Sequence, residues 1–112
     1  MQLQLGGNSQ GLVSLITLLG KQLVPTVYKS LTVNGTAASL PDIPEGAVAA
    51  HITVETGVTL RYTLNGTTAT TSVGHSLANN QIIEVVGAVA LSKFSIIEAS
   101  AGTSSIKITY YV

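Results

Sequence analysis

The chain has 112 residues, of which 46% are hydrophobic and only 9% charged, and its formal net charge is zero. That is enough for one domain with a modest core, at a charge density well under the roughly 25% of ordinary soluble domains. The five basic residues (Lys21, Lys29, Arg61, Lys93, Lys107) are scattered, which argues against a nucleic-acid surface, and the lack of Cys removes disulfides, thiolate metal sites and cysteine nucleophiles.

Met1 to Leu5 alternates Gln and Leu and reads as a short edge strand, broken by Gly6-Gly7-Asn8. Met1-Gln2-Leu3-Gln4 carries no positive side chain, so no secretion signal is expected. From Ser9 the spacing changes: Leu12, Leu15, Ile16, Leu19 and Leu23 recur at three and four, a helical stripe with Asn8 or Ser9 as cap. Gly20 weakens that helix, and a hairpin is the competing reading. Gly11 to Val24 is the most apolar stretch, but it is too short and too often interrupted by Ser14, Thr17, Gly20 and Lys21 to span a membrane. Pro25 ends the segment.

Thr26 to Asn34 reads as a strand, Asn34-Gly35 as a turn, and Ser39 to Gly46 (SLPDIPEG) as a loop. Ala47 to Thr67 then shows the clearest pattern in the chain. Val48, Ala50, Ile52 and Val54 alternate with polar residues; after Glu55-Thr56-Gly57, Val58, Leu60, Tyr62 and Leu64 do the same. Two such runs joined by a short Gly-bearing turn predict a β-hairpin forming one wall of the core. The polar stretch from Asn65 to Asn80 reads as an irregular connection with room for one short strand. Gln81 to Val86 is a strand, Gly87 to Leu91 a turn, and Lys93 to Ala99 another strand, broken by Ser100-Ala101-Gly102. Thr103 to Val112 closes the chain as a strand with Ile106, Ile108 and Tyr110 on one face.

Six or seven short strands separated by turn signals predict an all-β fold, a two-layer antiparallel β-sandwich of jelly-roll-like type. Residues 1–25 form an N-terminal arm or docking segment and residues 26–112 the β-sandwich domain. Only the N-terminal segment offers a helix.

Candidate chemistry is sparse. His51 and His75 are the only imidazoles, and a metal would need a further ligand such as Glu55 or Glu84. His51 and Glu55 are about 13 Å apart along one strand, too far to chelate together. The acids Asp42, Glu45, Glu55, Glu84 and Glu98 show no spacing that forces a catalytic pair, and no GxSxG, HExxH or GxxxxGK[ST] motif occurs. No cofactor, metal or catalytic residue is assigned. Asn34-Gly35-Thr36 and Asn65-Gly66-Thr67 match a glycosylation acceptor, but Asn-Gly is independently expected in turns. The residues best suited to meet a partner are apolar: Leu12, Leu15, Ile16 and Leu19, together with Tyr111, whose ring points outward while Tyr110 joins the core. The stripe either packs on the sandwich and caps one end, or contacts another subunit.

The stretches LTVNGTAASLPDIPEGAVAAHITVE, VTLRYTLNGTTATTSVGHSLANNQIIEVVG and FSIIEASAGTSSIKITYYV, from Leu31 onward, resemble small virion proteins of tailed bacteriophages. Those share a Thr/Val strand leading to a Leu-Pro-x-Ile-Pro loop, an Ala-x-Ile-Thr-Val strand, an Arg-Tyr-Thr-x-x-Gly-Thr hairpin backed by Val-Gly-His, and a terminal Ile-x-Ile-x-Tyr-Tyr strand. The resemblance implies a non-enzymatic structural subunit made in the host cytoplasm and carried on the outer surface of a capsid or tail. Its expected partners are the major capsid protein or other virion proteins, with homo-oligomers but neither nucleic acid nor membrane. The first thirty residues lie outside it. A second likeness joins Arg61 to Thr68 to the Tyr-Thr-x-Asp-Gly-Thr hairpin of β-domains appended to carbohydrate-active enzymes, with Asn65 in place of the usual Asp. It implies a carbohydrate-binding module in which Tyr28, Tyr62 and Tyr111 serve.

Overall fold

The computed structural model describes residues 23–56, 59–100 and 102–112. The predicted edge strand at residues 1–5 and the helical stripe through Leu19 lie outside these. The described chain forms seven strands and one short helix: β1 (Pro25–Val33), β2 (Ala49–Thr56), β3 (Thr59–Thr63), β4 (His75–Ala78), β5 (Ile82–Val86), α1 (Ala88–Lys93), β6 (Ser95–Glu98) and β7 (Ser104–Tyr111). They make two antiparallel sheets, one ordered β1-β7-β2-β5 and the other β4-β3-β6.

The pairing is nested. β1 pairs with β7, Ala38 bridges Ile96 of β6, β2 pairs with β5, and β3 with β4. The chain is therefore one long antiparallel hairpin, closed between β3 and β4, with successive rungs falling alternately in the two sheets. Alternation within each strand does the sorting. Ala50, Ile52 and Val54 of β2 stand in register with Tyr110, Ile108 and Ile106 of β7, and all six are buried. From the other sheet Leu60, Leu77 and Ile96 join the same cluster, with Leu40, Leu91 and Phe94. Tyr62 and Phe94 stack with ring centroids 5.8 Å apart.

The segment from Ala47 to Thr67 is not a hairpin. β2 and β3 follow one another in the chain but belong to different sheets, β2 lying between β7 and β5, and β3 between β4 and β6. Alternation names the face a strand buries, not the strand it pairs with; here each run finds distant partners whose alternation matches its own. Thr63, a polar position of the second alternating run, is buried, and its hydroxyl donates to the carbonyl of Thr67.

The second departure is α1, where a turn was expected. Gly87 takes φ 108° and donates its N–H to the Val48 carbonyl at 2.6 Å. A positive φ of this size suits glycine, and it redirects the chain into Ala88-Val89-Ala90-Leu91. Leu91 is buried, Ala90 packs on the core, and Lys93 occupies the last turn, where its charge suits the helix dipole. A helix of this length is held by Leu91 rather than by its propensity.

Candidate interaction surface

The connection between β3 and β4, residues 64–74, is the most elaborately built part of the surface. Its ends are adjacent because Tyr62 and His75 are cross-strand partners. Side chains that compete with regular structure satisfy its backbone. Asn65 Oδ1 accepts from the Thr67 N–H at 3.1 Å, and Thr70 Oγ1 from the N–H groups of Ser72 and Val73 at 3.3 and 3.0 Å. The Ala69 N–H donates to Ser95 Oγ at 3.0 Å, and Ala69 is buried. Arg61 spans the loop's return limb, donating from Nε to the Thr71 carbonyl at 3.1 Å and from a guanidinium NH₂ to the Gly74 carbonyl at 3.0 Å. Gly74 has φ 128°, and a Cβ there would lie 3.0 Å from the Tyr62 carbonyl oxygen. These bonds tie the loop to β3 through Arg61 and to β6 through Ser95. Leu64 and Val73 are 39% and 42% exposed, and they line one shallow groove of about 340 Å³ with Thr63, Asn65, Thr67 and His75.

No carboxylate lines that groove, so His75 has no acid beside it there. Its neighbour is Tyr62, at a ring-centroid distance of 5.3 Å; burial raises the Tyr62 pKa. A second groove of about 320 Å³ is lined by Ala38, Gly66, Lys93, Phe94 and Ser95 among others, also without an acid. Asp42 pairs with Lys29 at 3.2 Å and Glu55 with Lys107 at 3.3 Å. Glu84 stands opposite His51 across β5 and β2, on a strand face that is half-buried rather than solvated. Among the described residues no three His, Asp or Glu side chains gather as a metal site, and no helix is long and apolar enough to cross a membrane.

Glu98 is the one buried acid among the described residues. It is 1% exposed, at the end of β6 and in register with Leu60. One oxygen accepts from Ser100 Oγ at 2.7 Å, from the Ser100 N–H at 3.1 Å and from the Thr59 N–H at 3.4 Å; the other accepts from Ser104 Oγ. Burial opposes its ionisation, but the hydrogen bonds from Ser104, Ser100 and Thr59 outweigh burial and hold the pKa below the usual value. A carboxylate this fully engaged is an anchor joining β6, β3 and β7. The only hint in the sequence is the pair of serines two and six residues downstream.

The outward face of the four-stranded sheet carries the other expected contact residue. Tyr111 lies there half-buried, packed with Leu23 around Ala49. Tyr28 shares this face and is 62% exposed; Tyr28 is paired with Thr109, so Tyr111 is its diagonal neighbour. Tyr62 belongs to the other sheet, so the three tyrosines of a sugar platform do not come together. Tyr110 is buried, donates from its hydroxyl to the Pro41 carbonyl at 2.6 Å, and has its pKa pushed up to about 12 by burial and by the charge of Asp42. Leu12, Leu15, Ile16 and Leu19 lie outside the described residues.

Comparison with known protein families, with curated proteins and with solved structures finds no match to this chain.

Proposed function

We propose that the chain is a non-enzymatic virion structural protein of a tailed bacteriophage, a capsid decoration or cement subunit that stabilises the head through many weak contacts. The supporting observation is the strand order. Counting the Ala38 segment as a strand, the nested pairs of one rolled hairpin are dealt alternately to two sheets. This nesting supports reading the sandwich as jelly-roll-like, an architecture that recurs in viral capsid domains and lectins. The support is by analogy of fold; the resemblance from Leu31 onward supports it separately.

The loop at residues 64–74 is the contact surface this reading favours. Leu64 and Val73 expose apolar surface on a segment whose ordering entropy is already lost in the free protein, so little more is lost on docking. Burying what remains of each side chain contributes about 1 kcal/mol, roughly thirtyfold in affinity for the two together, and repetition over a capsid multiplies the effect. The partner is the major capsid protein or a neighbouring copy on the virion surface. A tail or fibre position uses the same chemistry.

The test is co-sedimentation of the purified protein with heads lacking it. Saturable binding that raises the temperature of head dissociation, and that Leu64→Asp with Val73→Asp weakens at least tenfold, is the expected result; no binding to any virion part refutes the proposal. A lectin-like module is the second reading, favoured by Tyr28 and Tyr111 as diagonal neighbours on one sheet face. Selective glycan binding abolished by Tyr28→Ala would establish it.

A further inference from the structure

Asn-Gly occurs twice in the chain, at Asn34-Gly35 and Asn65-Gly66, and all four residues are exposed. In both turns the Asn side chain is folded back over the main chain. Asn34 Oδ1 accepts from the Thr36 N–H at 2.9 Å, and Asn65 Oδ1 from the Thr67 N–H at 3.1 Å. This is an Asx-turn, which carries the side-chain Cγ over the peptide it spans. The nitrogen of that peptide belongs to glycine, so no side chain obstructs its approach to Cγ. A main-chain N–H on Oδ1 also stabilises negative charge developing there, as in an oxyanion hole.

The two turns differ in how that peptide is held. The Asn34 carbonyl accepts from the Glu98 N–H at 2.8 Å, which ties the Asn34–Gly35 peptide to β6. Among the described residues neither the Asn65 carbonyl nor the Gly66 N–H has a hydrogen-bond partner. The chain on either side is held instead, because Thr63 is buried and its hydroxyl donates to the Thr67 carbonyl. The peptide between Asn65 and Gly66 is therefore an unheld unit between held neighbours. It is free to rotate and aim its nitrogen at Cγ, whereas the one between Asn34 and Gly35 must first give up its bond to β6.

We propose that Asn65 is a site of spontaneous deamidation. The Gly66 nitrogen attacks Asn65 Cγ; a C–N bond forms, the Cγ–Nδ2 bond breaks, and ammonia leaves carrying the proton of the Gly66 nitrogen. The product is a cyclic succinimide. Water then adds to one of its two carbonyls and opens the ring to aspartate or isoaspartate, so the sequence consumes water and nothing else. The new carboxylate falls in the groove lined by Leu64, Asn65, Val73 and His75, which holds no acid before the reaction. Gly66 lines the second groove together with Lys93, which makes no ion pair among the described residues. Deamidation therefore sets a negative charge beside the exposed Leu64 and Val73, and the isoaspartate form also lengthens the main chain by one carbon. The reaction belongs to the isolated chain and does not depend on the virion reading.

The near-identical local sequences, Val33-Asn34-Gly35-Thr36 and Leu64-Asn65-Gly66-Thr67, make one site the control for the other. The full chain is incubated folded in mildly alkaline buffer and, in parallel, unfolded in urea. Both sites are followed by peptide mapping, with isoaspartate detected by enzymatic methylation. In the folded chain Asn65 should convert at least fivefold faster than Asn34, roughly the worth of one hydrogen bond. The rate should climb with pH, because the Gly66 nitrogen must shed its proton. In urea the two sites should convert alike, and Asn65→Gln should silence the first site while leaving Asn34 unchanged. Equal conversion of the two sites in the folded chain, or Asn34 converting first, would overturn the proposal. So would an Asn65 that stays intact while folded and reacts only in urea. Circular dichroism before and after incubation confirms that the folded sample stays folded.

Discussion

Glu98→Gln tests the account of the core most sharply. The carboxylate collects donors from Ser100 and Thr59 on one oxygen and from Ser104 on the other. Glutamine has the same shape and keeps one acceptor oxygen for the first group, while its NH₂ meets a Ser104 hydroxyl able to rotate and accept. What is lost is the charge assistance. Hydrogen bonds to a charged group contribute about 1.5–3 kcal/mol, against about 1 for neutral ones, and the Thr59 contact is long, so the expected cost is about 1–2 kcal/mol at pH 7. That is about 4–8 °C in Tm for a domain of this size. Glu98→Ala instead strands buried donors and should cost about 3–5 kcal/mol. The pH dependence separates this account from simple packing. Because the folded-state pKa is depressed, the stabilisation is complete above the unfolded value of about 4.3 and disappears as pH falls through the folded value. The gap between wild type and Glu98→Gln in urea denaturation should therefore be constant from pH 8 to about 5 and shrink below about 4. No gap at pH 7, or one that persists unchanged to pH 3, would refute the reasoning.

Tyr110→Phe removes the hydrogen bond to Pro41 and should cost about 1 kcal/mol at pH 7. Since the Tyr110 pKa is raised to about 12, wild type should also lose stability between pH 10 and 12, as the unfolded chain ionises first, and the variant should lose less in a urea series over that range. Gly74→Ala drives a Cβ to 3.0–3.2 Å from Tyr62 and Arg61 at φ 128°; thermal melts should show about 2–4 kcal/mol lost, whereas Gly35→Ala, with nothing within 4 Å, should stay within about 0.5 kcal/mol. Arg61→Met should speed hydrogen exchange locally in residues 70–74 with about 1 kcal/mol or less of global loss, and Arg61→Lys should fail to restore protection because one ammonium cannot match a guanidinium fork reaching two carbonyls.

What was legible in the sequence is the burial side of each strand. Ile106, Ile108 and Tyr110 face inward as their spacing requires, and so do Ala50, Ile52 and Val54. What was not legible is who pairs with whom. The two alternating runs on either side of Glu55-Thr56-Gly57 look like partners because they are close in sequence, yet the nested hairpin places them in different sheets. Polarity also misled twice. Glu98 is an ordinary acid until the fold brings Thr59 and Ser104 to it, and the stretch after Asn65 lacks apolar periodicity because its order comes from Thr, Asn and Ser side chains bonding to backbone. Arg61, one polar residue among others in an alternating run, is the clasp of that loop.

The sheet edges bear on how the protein would meet other chains in the proposed role. An open sheet exposes unpaired main-chain groups along its margins, and bare margins invite strand addition. Here each margin carries a deterrent. β1 starts at Pro25, has a register shift beside it, and turns Lys29 to the inner side, where it reaches Asp42. β4 has four residues. β6 is bridged by Ala38. β5 places Glu84 at the middle of an otherwise apolar run. Growth by merging sheets is disfavoured on all four. In the proposed role, contacts between copies would then fall to side chains on loops such as the one bearing Leu64 and Val73, which Arg61 ties to β3. A surface with so few charges offers little repulsion against close neighbours, which is consistent with the proposed packing of many copies through such loops.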